Sequence, residues 1–226
     1  MGDSADSLPA LNARIVACVR CARLRAYCAE VARVRRRAYA DQEYWGRPVP
    51  SFGDPEARVL VLGLAPGAHG SNRTGRMFTG DGSGDFLFPV LHEAGFASQA
   101  KAVSRDDGMK LRGLWISAVV HCAPPGNKPT PQEQRNCSSW LDEEIRLLSK
   151  LRVVVCLGKI AFEGFLNHQL RAGQISSRAG FQFRHGAETA RAVHLQQQPV
   201  RLLDAAFGPD GLRQCSRPRA LLQHAG

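Results

Sequence analysis

Arg58-Val59-Leu60-Val61-Leu62-Gly63-Leu64 sets four apolar residues in a row and then turns on a glycine. A half-exposed strand or an amphipathic helix would break such a run with polar residues. A short unbroken one is the pattern of a strand buried on both faces of a parallel sheet. Two further runs follow, Trp115-Ile-Ser-Ala-Val-Val120 and Val153-Val-Val-Cys-Leu-Gly158. Helical stretches separate and follow them: residues 86–94, stopped by Gly95, residues 130–150, and a third from Lys159 to about Leu170. The second opens on Thr130 as N-cap, Pro131 in the first turn and Glu133 as the reciprocal partner of the threonine. Strand, loop and helix in repetition predict an α/β fold, a three-layer α/β/α sandwich with a short, mainly parallel central sheet. Ligands of such sheets sit at the carboxyl ends of the strands. The chain's two most distinctive loops, Gly63 to Gly84 and His121 to Pro129, begin there.

Upstream, residues 1–12 are small and polar and read as a loose terminus, residues 13–40 are helical in pattern, and Gly46 to Pro55 is a loop punctuated by Gly and Pro. No internal repeat or second domain is visible, so residues 1–226 read as one domain. The length suits one core, and 44% hydrophobic residues make the chain globular. No apolar run reaches the ~18–20 residues of a membrane span, and no apolar segment of a secretory signal opens the sequence. The expectation is a cytoplasmic, nucleoid-associated monomer without membrane contact. A net charge of +10, carried by 25 Arg and 5 Lys among the cations, favours a polyanionic partner. Arginine richness also arises from codon bias, so charge alone does not fix that partner.

Seven cysteines are an odd and sparse set for a disulfide framework. Cys18 and Cys21 have CxxC spacing, and Cys122 and Cys137, with fourteen residues between them, lie in a loop and on the following helix. Four thiolates suit a tetrahedral zinc or a [4Fe–4S] cluster, and the spacing alone leaves the choice open, as it leaves open a CxxC with no ligand at all. Cys156 reads as a small core residue, and Cys28 as a superfluous fifth thiol.

The segment Gly63-Leu-Ala-Pro-Gly-Ala-His-Gly-Ser-Asn-Arg-Thr-Gly-Arg-Met-Phe-Thr-Gly-Asp-Gly-Ser-Gly84 follows a strand directly. Its glycines let backbone amides approach a planar ligand or a phosphate. No Gly-Lys-Ser/Thr ends it, and the dinucleotide fingerprint fails on spacing.

Residues 63–81, together with His121-Cys-Ala-Pro-Pro-Gly-Asn-Lys-Pro129, resemble the first and second motifs of the uracil-DNA glycosylase superfamily, in its iron–sulfur type b (family five) branch. Cys18, Cys21, Cys122 and Cys137 match that branch's cluster ligands in order and spacing, and the likeness runs from about Cys18 to Ala187. The resemblance implies a [4Fe–4S] cofactor. It also implies hydrolysis of the N-glycosidic bond of uracil, with other deaminated bases within reach, in double- or single-stranded DNA, as the opening of base excision repair. Such an enzyme flips the nucleotide out and reads the base edge. Phe78 then supplies the stacking face and Asn127 the paired donor and acceptor for the imide edge. Gly63, Ala65 and Gly67 line the base site. Asp81 is the matching catalytic carboxylate, because Ala65-Pro66-Gly67-Ala68 offers no polar side chain. His69, Arg73 and Arg76 are candidates for sugar or phosphate contacts. Asp85 is expected to cap the next helix, and His121 is as readily a structural histidine.

The likeness stops after Phe183-Arg-His-Gly-Ala187. The family's late His-Pro-Ser-x-x-Asn-x-x-Thr-Gly motif, whose histidine polarises the base oxygen, is missing from residues 188–226, and His194 lies in no motif. Either a shifted reading frame produced a disordered or misread tail, or a divergent tail supplies the missing groups another way. The competing functions are a catalytically impaired iron–sulfur DNA-binding relative and, more distantly, a zinc-stabilised nucleotide-binding domain.

Overall fold

The structure is a computed structural model and describes residues 6–186, 188, 193–195 and 198–205. Its strands are β1 (Phe52–Gly53), β2 (Val59–Gly63), β3 (Leu114–Ala118), β4 (Val153–Leu157), β5 (Val193–Leu195) and β6 (Gln198–Ala205). Its α-helices are α1 (Leu8–Val16), α2 (Ala22–Val34), α3 (Ser71–Thr74), α4 (Gly82–Glu93), α5 (Pro131–Leu147) and α6 (Lys159–Arg171). The sheet runs β1-β3-β2-β4-β6-β5. Strands β3, β2, β4 and β6 are parallel, and the short β1 and β5 lie antiparallel at the edges.

Alternation along each strand divides the core in two. Leu60 and Leu62 of β2, Trp115 of β3, Val154 and Cys156 of β4 and Leu202 of β6 face one core, closed by Leu11 and Ile15 of α1, Leu24 of α2, Trp140 and Leu141 of α5 and Phe162 and Phe165 of α6. Val59, Val61, Leu114, Ile116, Val153, Leu157 and Leu203 face the other, closed by Leu87, Phe88 and Leu91 of α4. The three α/β/α layers follow from that split, as the run at residues 58–64 predicts. One polar thread crosses the first core. Glu144, fully buried, accepts from Ser117 Oγ at 2.5 Å and from Trp115 Nε1 at 3.3 Å, while Ser51 Oγ donates to Ser117 Oγ at 2.9 Å.

Three expectations are corrected. Residues 8–12 are not loose: Ser7 caps α1, its hydroxyl accepting from the Ala10 amide, and Leu8 and Leu11 are buried. The helical pattern over residues 13–40 is two helices broken at the CxxC, with Cys21 as the N-cap of α2. Helix α4 starts at Gly82, earlier than expected, because Asp81 caps it; Asp85 lies in its first turn. The capping box of α5 is present as read, with both the Thr130 and Glu133 contacts made.

The question of a misread tail falls partly on residues outside the described set. Within that set, β6 pairs with β4 from Val153↔Arg201 to Leu157↔Ala205, and Val200, Leu202 and Leu203 are buried. No helix among the described residues is long and apolar enough to cross a membrane.

Candidate functional site

The two loops start from neighbouring strands and are joined at their roots. Gly63 pairs with Ala118, and the amides of Val119 and Val120 donate to the carbonyls of Gly63 and Leu64 at 3.0 and 3.1 Å.

In the first loop the glycines are spatial requirements. A Cβ on Gly63 would come within 2.6 Å of the Phe78 ring, so the ring edge rests on bare backbone at the end of β2. Phe78 itself has φ +52°, a conformation phenylalanine rarely takes, and is half-buried. A Cβ on Gly70 would lie 1.7 Å from Asp81 Oδ2, and one on Gly67 2.5 Å from the same oxygen. The carboxylate of Asp81 is therefore laid directly against the Gly67–Gly70 turn. Its other oxygen, Oδ1, accepts from the amide and from the hydroxyl of Ser83. One oxygen orients the group at the α4 N-terminus, and the other faces the loop. Ala65, half-buried, packs against the same core as Cys18 and Cys21.

Arg73 and Arg76, expected as candidates for sugar or phosphate contacts, have every guanidinium nitrogen engaged inside the protein. Arg73 Nε donates to the His69 carbonyl at 2.7 Å, Nη1 to Gln42 Oε1 at 2.5 Å and Nη2 to the Gly80 carbonyl at 2.7 Å. Arg76 Nε donates to Thr79 Oγ1 at 2.9 Å, and its two Nη atoms reach both Asp107 oxygens at 2.7 Å. Burial raises the Asp107 pKa, but the Arg76 pair and the amides of Met109 and Val103 outweigh it and hold the carboxyl far below its ordinary range. These side chains are braces across the loop. Two exposed cations nearby, Arg47 and Arg105, are set over the Trp45 ring at 4.1 and 4.7 Å. With Arg73 and Thr74 they line a groove of about 390 Å³.

His69 is half-buried, its Nδ1 3.1 Å from the Tyr44 hydroxyl. Burial lowers its pKa, and the charges of Arg36 and Arg73 lower it further.

The second loop turns through consecutive left-handed residues, Gly126 at φ +60° and Asn127 at φ +57°, which glycine and asparagine tolerate best. Asn127 is exposed. Behind it the loop is tied to α2: Arg23 binds Glu133 through two bonds, at 2.8 and 2.7 Å, and also donates to the Lys128 carbonyl at 3.4 Å. His121 is buried, with Nδ1 2.8 Å from the Val49 carbonyl and no partner for Nε2 among the described residues.

The four predicted cysteine ligands come from the α1–α2 junction, the start of the second loop and α5, and none is in a disulfide. Cys137 lies beside Cys18 and Cys21; its thiol is pushed up to about 12, by burial first and then by those neighbours, against the lowering effect of the His121 amide. Cys122 is raised by a hydrogen bond with Cys28 and by burial. The His121 amide and the Asn136 side chain donate to sulfur, to Cys137 and Cys21 at 3.4 and 3.5 Å. Among the described residues, no three or more His, Cys, Asp or Glu side chains close on one point as they do around a single ion. Sequence reasoning missed Gln42, Tyr44, Ser83 and Asp107. Only Ser83, a short polar residue two places after Asp81, carried a local signal.

Comparison with known proteins places this arrangement. The profile described as the uracil DNA glycosylase superfamily matches residues 50–225. A type-5 uracil-DNA glycosylase of Thermus thermophilus is 53% identical over 174 residues, covering 76% of this chain and 76% of the relative. A type-5 uracil-DNA glycosylase of Mycobacterium bovis is 48% identical over 190 residues, covering 84% and 69%. A type-4 uracil-DNA glycosylase of Thermotoga maritima is 33% identical over 116 residues, covering 51% and 52%.

Proposed function

The chain belongs to the uracil DNA glycosylase superfamily, and we propose that it hydrolyses the N-glycosidic bond of uracil in DNA to open base excision repair. The observation that carries the reading is the joint placement of Phe78 across Gly63 and Asp81 against Gly67 and Gly70. An aromatic face and a carboxylate are thus held in one loop, at the strand ends where α/β sheets bind ligands.

The chemistry asks for both. A uracil nucleotide must leave the stack before its glycosidic bond is reachable, and a ring face compensates part of the lost stacking. Asn127 offers a donor and an acceptor to the imide edge. As the bond lengthens, positive charge builds on the sugar and negative charge on the departing base. A fixed carboxylate beside the sugar favours the first. Asp81 is suited to that task because Ser83 holds one of its oxygens and leaves the other turned toward the loop. The same oxygen is available to orient the attacking water. Phosphate contacts belong to Arg47 and Arg105, the exposed pair beside the loop, and not to Arg73 and Arg76. The substrate class extends to other deaminated bases, since Ala65 and the neighbouring Ala68 place no polar side chain in the base site. The working unit is a monomer in the cytoplasm, acting at the nucleoid.

Cys18, Cys21, Cys122 and Cys137 are the proposed ligands of a [4Fe–4S] cluster. Such a cluster takes one thiolate per iron. Its ligands therefore surround a body and do not meet at a point, and amide donors to sulfur such as those of His121 and Asn136 suit bound thiolates. Bound there, it would tie α1, α2, the second loop and α5 together, a structural service with no redox step in base excision.

Absence of the late histidine motif supports a second reading, a relative that binds DNA but cleaves it poorly. Incubation with a uracil-containing duplex and scoring of alkali-labile sites decides between them: strand breaks at uracil support the enzyme, and retained binding without breaks removes it. A broad absorbance shoulder of the purified protein near ~400 nm is the expected signature of the cluster, and a colourless zinc protein would overturn it.

A further inference from the structure

Tyr44 is nearly buried, 7% exposed, and lies 25 residues before the loop residue it touches. Its hydroxyl has two contacts. The backbone amide of Arg36 donates to it at 3.3 Å, and His69 Nδ1 lies 3.1 Å away. An amide can only donate, so the hydroxyl is the acceptor in the first bond and its own proton remains to be placed. His69 Nδ1 is the acceptor within reach among the described contacts. A hydroxyl that donates to Nδ1 leaves that nitrogen unprotonated, and a neutral imidazole then carries its hydrogen on Nε2. The rings meet edge to face, 6.0 Å apart at 81°, which fixes the imidazole plane as well as its tautomer. Nε2 makes no protein hydrogen bond among the described residues, and His69 stands in the same turn, between Gly67 and Gly70, that the Asp81 carboxylate rests on.

We infer that Tyr44 is a positioning residue that fixes His69 as the Nε2–H tautomer, so that the histidine offers an oriented, neutral hydrogen-bond donor to an oxygen of the nucleotide held beside Asp81. The inference rests on the glycosylase reading for what that oxygen belongs to, but not for the tautomer. Supporting it, burial and the charges of Arg36 and Arg73 all disfavour the imidazolium. A donor here is also chemically apt, since the chain's sequence provides no late-motif histidine.

The test has a spectroscopic arm and a kinetic arm, both on the intact chain. With 15N-labelled histidine, the His69 signals, identified by their loss in His69→Gln, should show Nδ1 unprotonated and Nε2 protonated at neutral pH. Tyr44→Phe should turn that single form into an averaged mixture of tautomers. On uracil duplex, Tyr44→Phe should lower kcat/KM about tenfold, within the effect of one misaligned donor. Glutamine presents a side-chain N–H and has no tautomer to fix. In the His69→Gln background, Tyr44→Phe should therefore cost almost nothing further. A fall in kcat places the oxygen on the departing base, whereas a rise in KM with kcat kept places it on sugar or phosphate; either supports the inference. A proton on Nδ1 in the unsubstituted chain, or a Tyr44→Phe penalty undiminished in the His69→Gln background, overturns it. If the chain cleaves no uracil at all, the glycosylase reading fails and the 15N signals still decide the tautomer.

Discussion

The loop after β2 and the loop after β3 stand side by side, yet the first is far more heavily tied than the second. The first is braced both within and across: Arg73 closes onto His69 and Gly80 of its own segment, Thr74 Oγ1 lies 3.1 Å from the Thr79 carbonyl, and Arg73 and Arg76 also reach Gln42 and Asp107. Glycines let Phe78 and Asp81 fold back onto it. The second has few bonds of its own. It is stiffened by Pro124 and Pro125 and by two left-handed residues, and is held from outside by α2, α5 and the cysteine-bearing segments. A loop with many ties keeps its geometry when one of them changes, and a loop with few follows its anchors. The site therefore joins a rigid half, which carries the carboxylate, to a dependent half, which carries Asn127, the residue proposed to read the base.

The largest effect expected tests what the rigid half is for. Asp81→Asn keeps a side-chain oxygen able to cap α4, so stability should change by no more than about a few tenths of a kcal/mol. Turnover on uracil duplex should nevertheless fall about 10²–10³-fold, the scale of losing one preorganised electrostatic group. Unchanged turnover would remove Asp81 from the mechanism and leave the capping bond as its whole role.

Next comes the brace itself. Arg76 and Asp107 have side chains 5% and 6% exposed. Removing one partner by Arg76→Met strands a buried carboxylate and should cost about 3 kcal/mol in thermal or denaturant unfolding. The pH dependence has a definite sign. Because the folded-state pKa of Asp107 is depressed, the pair's contribution is fully present above the unfolded carboxylate value of ~4 and is lost as pH falls below it. The gap between the unsubstituted chain and Arg76→Met should accordingly be widest near neutrality and close in strong acid. Arg47→Ala and Arg105→Ala should do the reverse, leaving stability intact while weakening DNA binding and reducing its salt slope by about one each. If Arg76→Met moved only the salt slope, the brace assignment would be wrong.

How far the sequence reveals this contrast depends on the range of the interactions. The buried strands are legible because burial on both faces forces unbroken apolar runs, and α5 because Thr130, Pro131 and Glu133 form a local start signal. The motif marks Asp81 as a candidate site residue, but nothing local marks it as the cap of α4. Asp85, nearer the apolar run, is the more obvious cap, and only the geometry of the loop decides between them. The ties of Arg73 and Arg76 are hidden for a different reason. An arginine in a ligand loop looks like a phosphate contact unless its partners are known, and Gln42 and Asp107 are each 31 residues away. Tyr44 is invisible for the same cause.

A smaller perturbation tests whether the rigid half tolerates motion. Gly70→Ala adds one methyl where it would meet Asp81 Oδ2 at 1.7 Å and Asp81 Cβ at 2.9 Å. A flexible side-chain end can move aside, but contact with Cβ requires the backbone to shift as well. Turnover should fall at least about tenfold, through displacement of the carboxylate, with binding of an abasic-site duplex less affected. Equal losses in both would show that the loop deforms as a whole and is not rigid.

The smallest effect belongs to the anchored half. Thr130→Ala removes one arm of the α5 capping box, a bond of 3.2 Å from the Glu133 amide, and should cost about 1 kcal/mol. Glu133 also accepts the Thr130 amide at 2.7 Å and holds Arg23, so the substitution loosens the helix start beside Lys128 without cutting the tie to α2. Amide hydrogen exchange should accelerate over residues 124–133 and stay unchanged over residues 64–81. The discrimination between uracil and an intact pyrimidine should weaken before maximal turnover does, because Asn127 sits on the loosened side and Asp81 on the braced one. Equal acceleration in both loops would mean that they share one support.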